Sequence, residues 1–401
     1  MSRFAYRRNP DKEYGASMLE LFYDLVFVFA ITQVTHLLIG HLTWLGVLQS
    51  TIILLTVWWA WQFTTWATNE LDPEAIPIRL LLIVIMLASL LMSVAIPDAF
   101  GDRGLLFAAA YVFIQVGRHS FMTFAAADRG TTERNRALHI LIWFCFGAIF
   151  WIWGALVDGD SRIFLWLVAL AIDYGGASLA YRVPFMDRIG LDAWQIGGSH
   201  FAERFQLFTI IALGETIVLT GATTSGLELD FATVTAFSTA FLSTVCLWWL
   251  YFNYVATVFE HMLVSATNRS VVARNLYTYG HIPIIAGIIL CAVGDEIIIT
   301  HPTEYLKTPY LLAVVAGPVV YLLAYVPSRL KATGGLPVKR VSGAAGCIAV
   351  GIFASITHIP AVSVGLLLVA ILIGVVVFET LSPSRSPEDG ARPEPQPSPA
   401  G

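Results

Sequence analysis

The chain has 401 residues, 57% hydrophobic and only 13% charged, with a mean hydropathy of +0.72. Soluble domains carry about 25% charged residues, so composition excludes a soluble globular protein and predicts an all-α polytopic membrane protein. The formal net charge of −5 is spread thinly and no basic face is concentrated, which argues against a nucleic-acid partner.

A helix needs about 20 mostly apolar residues to cross a bilayer. The sequence predicts twelve such spans, at 18–38, 43–66, 76–96, 104–126, 137–157, 163–181, 201–221, 232–256, 277–299, 309–327, 341–358 and 361–380. The tightest turns are expected between the fifth and sixth spans and, across His358 and Pro360, between the last two. The basic N-terminus (Arg3, Arg7, Arg8, Lys12) lacks a clean cleavage site beyond it, so the first run is expected to be a retained span. Residues 382–401 are Pro-rich and polar and are expected to be a disordered tail.

The first span, MLELFYDLVFVFAITQVTHLL, carries Glu20 and Asp24 four residues apart, on one helix face. Gln33 and His36 follow. A charge in the hydrocarbon costs about 2.5 kcal/mol or more. Such groups are expected to face a protein interior or a wet cavity, unless Glu20 caps or snorkels at the helix start. The second span holds Trp58, Trp59, Trp61 and Trp66, which suit an interfacial belt, core packing or a cavity wall. Arg118 and His119 lie in the fourth span, and Arg118 is expected to pair with Asp24 or Glu20. Asp173, followed by Tyr174, Gly175 and Gly176, makes the sixth span polar and suggests a broken helix.

The seventh span, HFAERFQLFTIIALGETIVLT, is the densest in polar groups. His200 and Arg204 share a face, with Glu203 between them. Glu215 lies twelve residues beyond Glu203, about 18 Å deeper and close to the midplane, at the depth of Gln33. A carboxylate there must be protonated, paired or bound to an ion, so Glu215 is the foremost candidate for a transported-ion or proton site. Gly214 and Gly221 could admit close helix approach or unwinding. Asp295 and Glu296, near the outer end of the ninth span, suit solvated ends or an entrance. The cysteines, Cys145, Cys246, Cys291 and Cys347, have no zinc or disulfide spacing and read as small buried hydrophobes.

Eighteen Lys and Arg residues fall on the side of the N-terminus and three on the other, with Arg118 and Arg204 within spans. The positive-inside rule then places both termini in the cytoplasm. The halves also resemble each other. Glu20-Leu21-Phe22 matches Glu203-Arg204-Phe205, and Gln33 meets Glu215. Trp58-Trp59-Ala60-Trp61 matches Trp248-Trp249-Leu250-Tyr251, and Glu70 matches Glu260 at the same offset. Asp98 and Asp295 correspond more weakly. The expected organisation is a cytoplasmic segment (1–17), two parallel six-helix repeats (18–181 and 182–381) and the tail (382–401). Parallel repeats often hold a site between them.

ELFYDLVFVFAITQVTHLL and HFAERFQLFTIIALGETIV closely resemble the two hallmark segments of the bacterial low temperature requirement protein A (LtrA) family. The resemblance covers about residues 14–380. It implies a multi-pass protein of the bacterial cytoplasmic membrane, with family-like positions at Glu20, Asp24, Gln33, His200, Glu203, Arg204, Gly214 and Glu215. The family name describes a growth requirement in the cold, so the resemblance sharpens class and location more than chemistry.

The leading expectation is a secondary transporter or permease for a small solute or ion. In it Glu215 and Gln33 form a midplane site, and Glu20, Asp24, His200, Glu203 and Arg204 form a gate or proton relay. Asp173 and Arg118 complete the candidate set. The bilayer is the expected partner, and no cofactor is implied. HExxH, GxSxG, P-loop and Rossmann signatures are absent, so an enzyme is not expected. Two alternatives remain: a membrane sensor or scaffold for cold adaptation, and a lipid-acting enzyme using His200 and Glu203 as an acid/base or metal pair.

Overall fold

The computed structural model describes residues 6, 8, 14–128, 130–188, 190 and 196–381. The Pro-rich tail, Arg129 and most of 1–13, including Arg3, Arg7 and Lys12, lie outside the described residues.

Among the described residues twelve long helices follow one another, in the number and order expected. They are α1 (Met18–Gly40), α2 (Trp44–Glu70), α3 (Ile76–Ala95), α4 (Gly104–Phe121), α5 (Thr132–Ala155) and α6 (Asp160–Ser178), then α7 (Gly198–Ser225), α8 (Phe231–Val264), α9 (Arg269–Thr300), α10 (Thr308–Ala324), α11 (Val338–Thr357) and α12 (Ala361–Leu381). Among the described residues there is no strand beyond one isolated bridge, Tyr305 to Pro360. Eleven of the helices are long and apolar enough to cross a membrane. The other, α6, carries Asp160, Arg162 and Asp173 in its nineteen residues, yet packs within the bundle on α5 and α2. The chain is an all-helical, multi-pass membrane protein.

Several helices outrun the expected spans: α2 runs on to Glu70 and α8 to Val264 at their C-terminal ends, and α9 begins early, at Arg269, behind its Asn268 cap. Thr43 caps α2 through the Gly46 amide, Asp230 caps α8 through Thr233, and Asn268 caps α9 through Val271. The turns at 156–159 and 358–360 are tight as expected, and 41–43 is equally short. His358 takes a left-handed conformation (φ 51°) to end α11, and Pro360 then precedes α12.

In chain order, α1 packs on α2 and α3, α3 on α4, α4 on α5, α5 on α6, and α6 returns to α2. Likewise α7 packs on α8 and α9, α9 on α10, α10 on α11, α11 on α12, and α12 returns to α8. Between the two groups, α1 and α2 both meet α7 and α9. Leu25, Leu87, Phe113, Ile149, Val218, Phe241 and Phe353 point outward, while Glu20, Asp24, Arg118, Asp173, Arg204 and Glu215 are buried. Apolar outside and polar inside is the arrangement a bilayer demands.

The expected breaks are not present. α6 runs unbroken past Asp173, and α7 runs unbroken past Gly214 and Gly221. A Cβ at either of those α7 glycines would meet nothing within 4 Å, so they admit no close neighbour. Close approach occurs instead between α9 and α10, where a Cβ on Gly317 would lie 2.6 Å from the Cys291 backbone and one on Gly287 2.8 Å from the Tyr321 backbone. Cys145 is exposed, unlike the other three cysteines. Trp58, Trp59 and Trp61 are fully buried, whereas Trp248 and Trp249 face outward.

Candidate functional site

The charged residues of α1 and α7 meet at the end of the bundle where α1 begins. Ser17 and Glu20 form a capping box: the Ser17 hydroxyl accepts the Glu20 amide, and Glu20 accepts the Ser17 amide at 2.9 Å. Capping does not exhaust Glu20. It accepts Arg8 Nη2 at 2.9 Å and His200 Nε2 at 3.1 Å, and its Oε1 lies 3.0 Å from Arg204 Nη1. One turn on, Asp24 Oδ1 accepts Arg204 Nη2 at 2.5 Å and Trp61 Nε1 at 2.8 Å. The i, i+4 spacing of Glu20 and Asp24 on α1 faces the same spacing of His200 and Arg204 on α7.

Asn69 settles the protonation of His200. Its Oδ1 accepts the Gly197 amide at 3.0 Å, which fixes Nδ2 as a donor toward His200 Nδ1 at 3.0 Å. A ring nitrogen that accepts at Nδ1 carries its proton on Nε2 and gives it to Glu20. With His200 neutral, two carboxylates face two guanidiniums, Arg8 and Arg204, and the cluster balances. It is not saturated: Asp24 Oδ2 and Arg204 Nε and Nη1 are buried without a hydrogen-bond partner, Nη1 being near Glu20 but poorly aligned.

Glu203 stands apart. Its carboxylate accepts the Ala16 amide at 2.9 Å and so holds the strand of chain that enters α1. His200 and Glu203 therefore have separate partners, and no group of three or more His, Cys, Asp or Glu side chains among the described residues is placed to hold a metal.

Glu215 lies farther along the same α1–α7 contact, 2% exposed. Its partner is Thr32, whose hydroxyl donates to Oε2 at 2.6 Å, and not Gln33 as depth-matching suggested. Residues 32 and 33 point about 100° apart on a helix, so equal depth does not mean equal face. Glu215 Oε1 is buried without a partner. His36 is within electrostatic reach of both Glu215 and Glu296 of α9, whose Oε2 is also buried and unpartnered.

Arg118 does not pair with Asp24 or Glu20, because Arg204 already lies against both. Arg118 Nη1 donates to Thr64 Oγ1 at 2.9 Å, which also accepts the Tyr23 hydroxyl at 2.9 Å. Arg118 Nη2 bonds Gln115, Gln115 Nε2 donates to the Tyr111 hydroxyl at 3.0 Å, and Tyr111 donates to Asp173 Oδ2 at 2.8 Å. Trp151 Nε1 completes the chain at 3.0 Å from the same oxygen. Arg118 and Asp173 are thus joined through two intervening side chains of α4, within the first six helices.

Asp295, read from the sequence as a solvated end or an entrance, is buried. It lines a small cavity with Thr239, Ser243, Cys291 and Pro318, and its Oδ2 has no partner. Asp98 is exposed, so the weak correspondence between the two does not extend to their surroundings.

The family model described as "Bacterial low temperature requirement A protein (LtrA)" matches residues 15–377, from the entry into α1 to the last turns of α12. The chain belongs to the LtrA family. It is also 36% identical over 339 residues, 84% of its own length and 82% of the relative's, to the uncharacterized protein RA0937 of Rhizobium meliloti (strain 1021). No solved structure matches.

Sequence reasoning on this LtrA protein missed four members of the arrangement. Arg8 carried no signal beyond its charge, and Asn69 and Thr32 none at all. Trp61 stood out only as an aromatic.

Proposed function

We propose that this LtrA protein is a secondary transporter of a small solute or ion rather than an enzyme, built as two parallel six-helix halves with both termini in the cytoplasm. The sequence correspondences between spans one and seven and two and eight support a duplication. So does the shared packing order of α1–α6 and α7–α12, each closing its sixth helix on its second. The Lys and Arg distribution supports the orientation.

One observation carries the transport reading: a charge-balanced cluster, Glu20, Asp24, Arg8, Arg204 and His200, is buried where α1 meets α7, with the unpartnered oxygen of Glu215 farther along the same contact. Buried charges at the junction of two halves are costly to keep. They are worth keeping where the junction must open and close. Protonating Asp24 or Glu20 would weaken their hold on Arg204 and free the near ends of α1 and α7. Loading Glu215 would occupy the interior site. The two events on one contact would alternate access from either side.

The multiple bonds to Glu20 also suit a static brace, as in a sensor or scaffold. Proteoliposomes screened by solid-supported membrane electrophysiology against ions, amino acids and organic acids separate the two. A saturable solute-dependent current, lost in Glu215→Gln while the variant stays folded, is expected. No current or counterflow for any solute, with a melting temperature that collapses in the carboxylate variants, supports the brace and contradicts transport.

A further inference from the structure

Asp295 lies away from the α1–α7 contact, where α8, α9, α10 and α12 come together. It is 8% exposed. Among the described residues no ion pair and no hydrogen bond reaches its carboxylate. Oδ2 is sealed off, whereas Oδ1 keeps open surface on the cavity that Asp295 lines. Buried charges in proteins are paired or coordinate a metal ion, so this carboxylate calls for a counter-charge.

The groups around it are further oxygens. Asp295 shares the cavity with Thr239 and Ser243 of α8, Val314 and Pro318 of α10 and Gly365 of α12. Pro318 sits inside α10 and has no N–H, so the Val314 carbonyl one turn back loses its usual helical donor. That carbonyl faces α9: a Cβ on Gly294, the neighbour of Asp295, would lie 3.6 Å from the Val314 oxygen. On the other side α12 closes on α8, where a Cβ on Gly365 would lie 3.3 Å from Thr239 Cγ2. Thr239 Oγ1 gives its proton to the Thr235 carbonyl at 2.7 Å and has only lone pairs left to offer.

A carboxylate, a carbonyl without its amide and a hydroxyl with its proton committed are all acceptors. Gathered on one cavity, they repel unless a positive group stands between them, and such oxygen sets suit hard cations. Charge and space then select the ion. A single carboxylate is neutralised by a monovalent ion, whereas a divalent one would leave a net charge in an otherwise apolar lining. The free space is about 20 Å³, room for one water-sized occupant. The path to it is short. Asp295 is little more than a turn from the end of α9, and Val314 and Gly365 lie in the first two turns of α10 and α12.

We infer that this cavity binds one sodium ion, held by the Asp295 carboxylate, the Val314 carbonyl and the hydroxyls of Ser243 and Thr239. Binding alone is claimed, so the inference does not rest on the transport reading.

The test uses the full chain in phosphatidylcholine nanodiscs prepared in choline chloride. Thermal unfolding is followed as sodium chloride or potassium chloride replaces choline chloride at constant ionic strength. Sodium should raise the melting temperature saturably, as a ligand of the folded state does, and potassium should act only at higher concentration. Asp295→Asn should abolish the sodium shift, and Glu215→Gln should keep it. Ser243→Ala, which removes one oxygen, and Pro318→Ala, which returns an amide to the Val314 carbonyl, should each weaken the apparent sodium affinity about tenfold while staying folded in choline. Equal shifts by sodium and potassium, no shift by either, or a sodium shift unchanged in folded Asp295→Asn, or in both Ser243→Ala and Pro318→Ala, overturns the inference. If the melting temperature follows pH through Asp295 and ignores sodium, the cavity takes only a proton and the inference also fails.

Discussion

Arg204 lies against two carboxylates at once, Glu20 through Nη1 and Asp24 through Nη2. Removing it leaves Asp24 without a cation and Glu20 with Arg8 alone in a buried site, and breaking such pairs costs about 3–5 kcal/mol. Arg204→Gln is expected to lower the unfolding free energy by that much, read as a large drop in melting temperature in detergent. Asp295 makes the contrast. It is also buried but has no charged or hydrogen-bonded partner to lose at Oδ2, so in sodium-free buffer Asp295→Asn should leave the melting temperature unchanged or raise it. A loss comparable to that of Arg204→Gln would mean that Asp295 has a partner in the membrane. The residue scale is also where the sequence was most and least legible. Paired carboxylates on α1 and the His200–Arg204 pair on α7 were readable because four-residue spacing places them on one face. Which cation meets which anion was not, since Arg204 and Asp24 are 180 residues apart and Arg118 is an equally plausible partner by depth. Depth also misled at Gln33, where the next residue, Thr32, has the correct azimuth.

The elements followed the apolar runs closely, and they differ from them at the helix ends. Apolar counting stops where polar residues begin, but the Asn268 cap starts α9 two turns earlier, and α2 and α8 run on through polar C-terminal turns to Glu70 and Val264. The Thr233 amide, at 2.7 Å, holds the exposed Asp230 carboxyl below its ordinary value. A depressed folded pKa contributes stability above the unfolded value and loses it as pH falls through the folded one. The first turn of α8 should therefore lose amide protection, relative to intrinsic exchange, as pH drops below about 3.9. In Asp230→Asn that acid-dependent loss should disappear. Glycines divide in a way that spacing cannot show. Gly317 lies against the Cys291 backbone, so Gly317→Ala should destabilise by about 1–3 kcal/mol through overpacking. Gly214 faces open space, so Gly214→Ala should be neutral or stabilise by up to about 1 kcal/mol through helix propensity. Thermal unfolding of both variants checks the pair, and the opposite order would show that the α9–α10 approach is looser than described.

For the whole molecule, class and span number followed from composition and hydropathy alone, because a bilayer leaves few alternatives to a bundle of apolar helices. The organisation of the polar interior did not, because it depends on which helices face one another. α1 and α7 emerge as the central pair: they carry the charged cluster, share Glu215 and Thr32, and join the helices that precede and follow them. The proposal requires that these two halves move against each other and that Arg204 governs the equilibrium between their arrangements. The direct measurement is the distance between spin labels at Asp102→Cys and Glu228→Cys, in exposed connections of the first and second six helices, with exposed Cys145 replaced by Ser. Pulsed electron resonance in nanodiscs should give two distance populations, and Arg204→Gln should shift them strongly toward one. A single distance, identical with and without Arg204, would contradict the account and leave the α1–α7 cluster as a static brace.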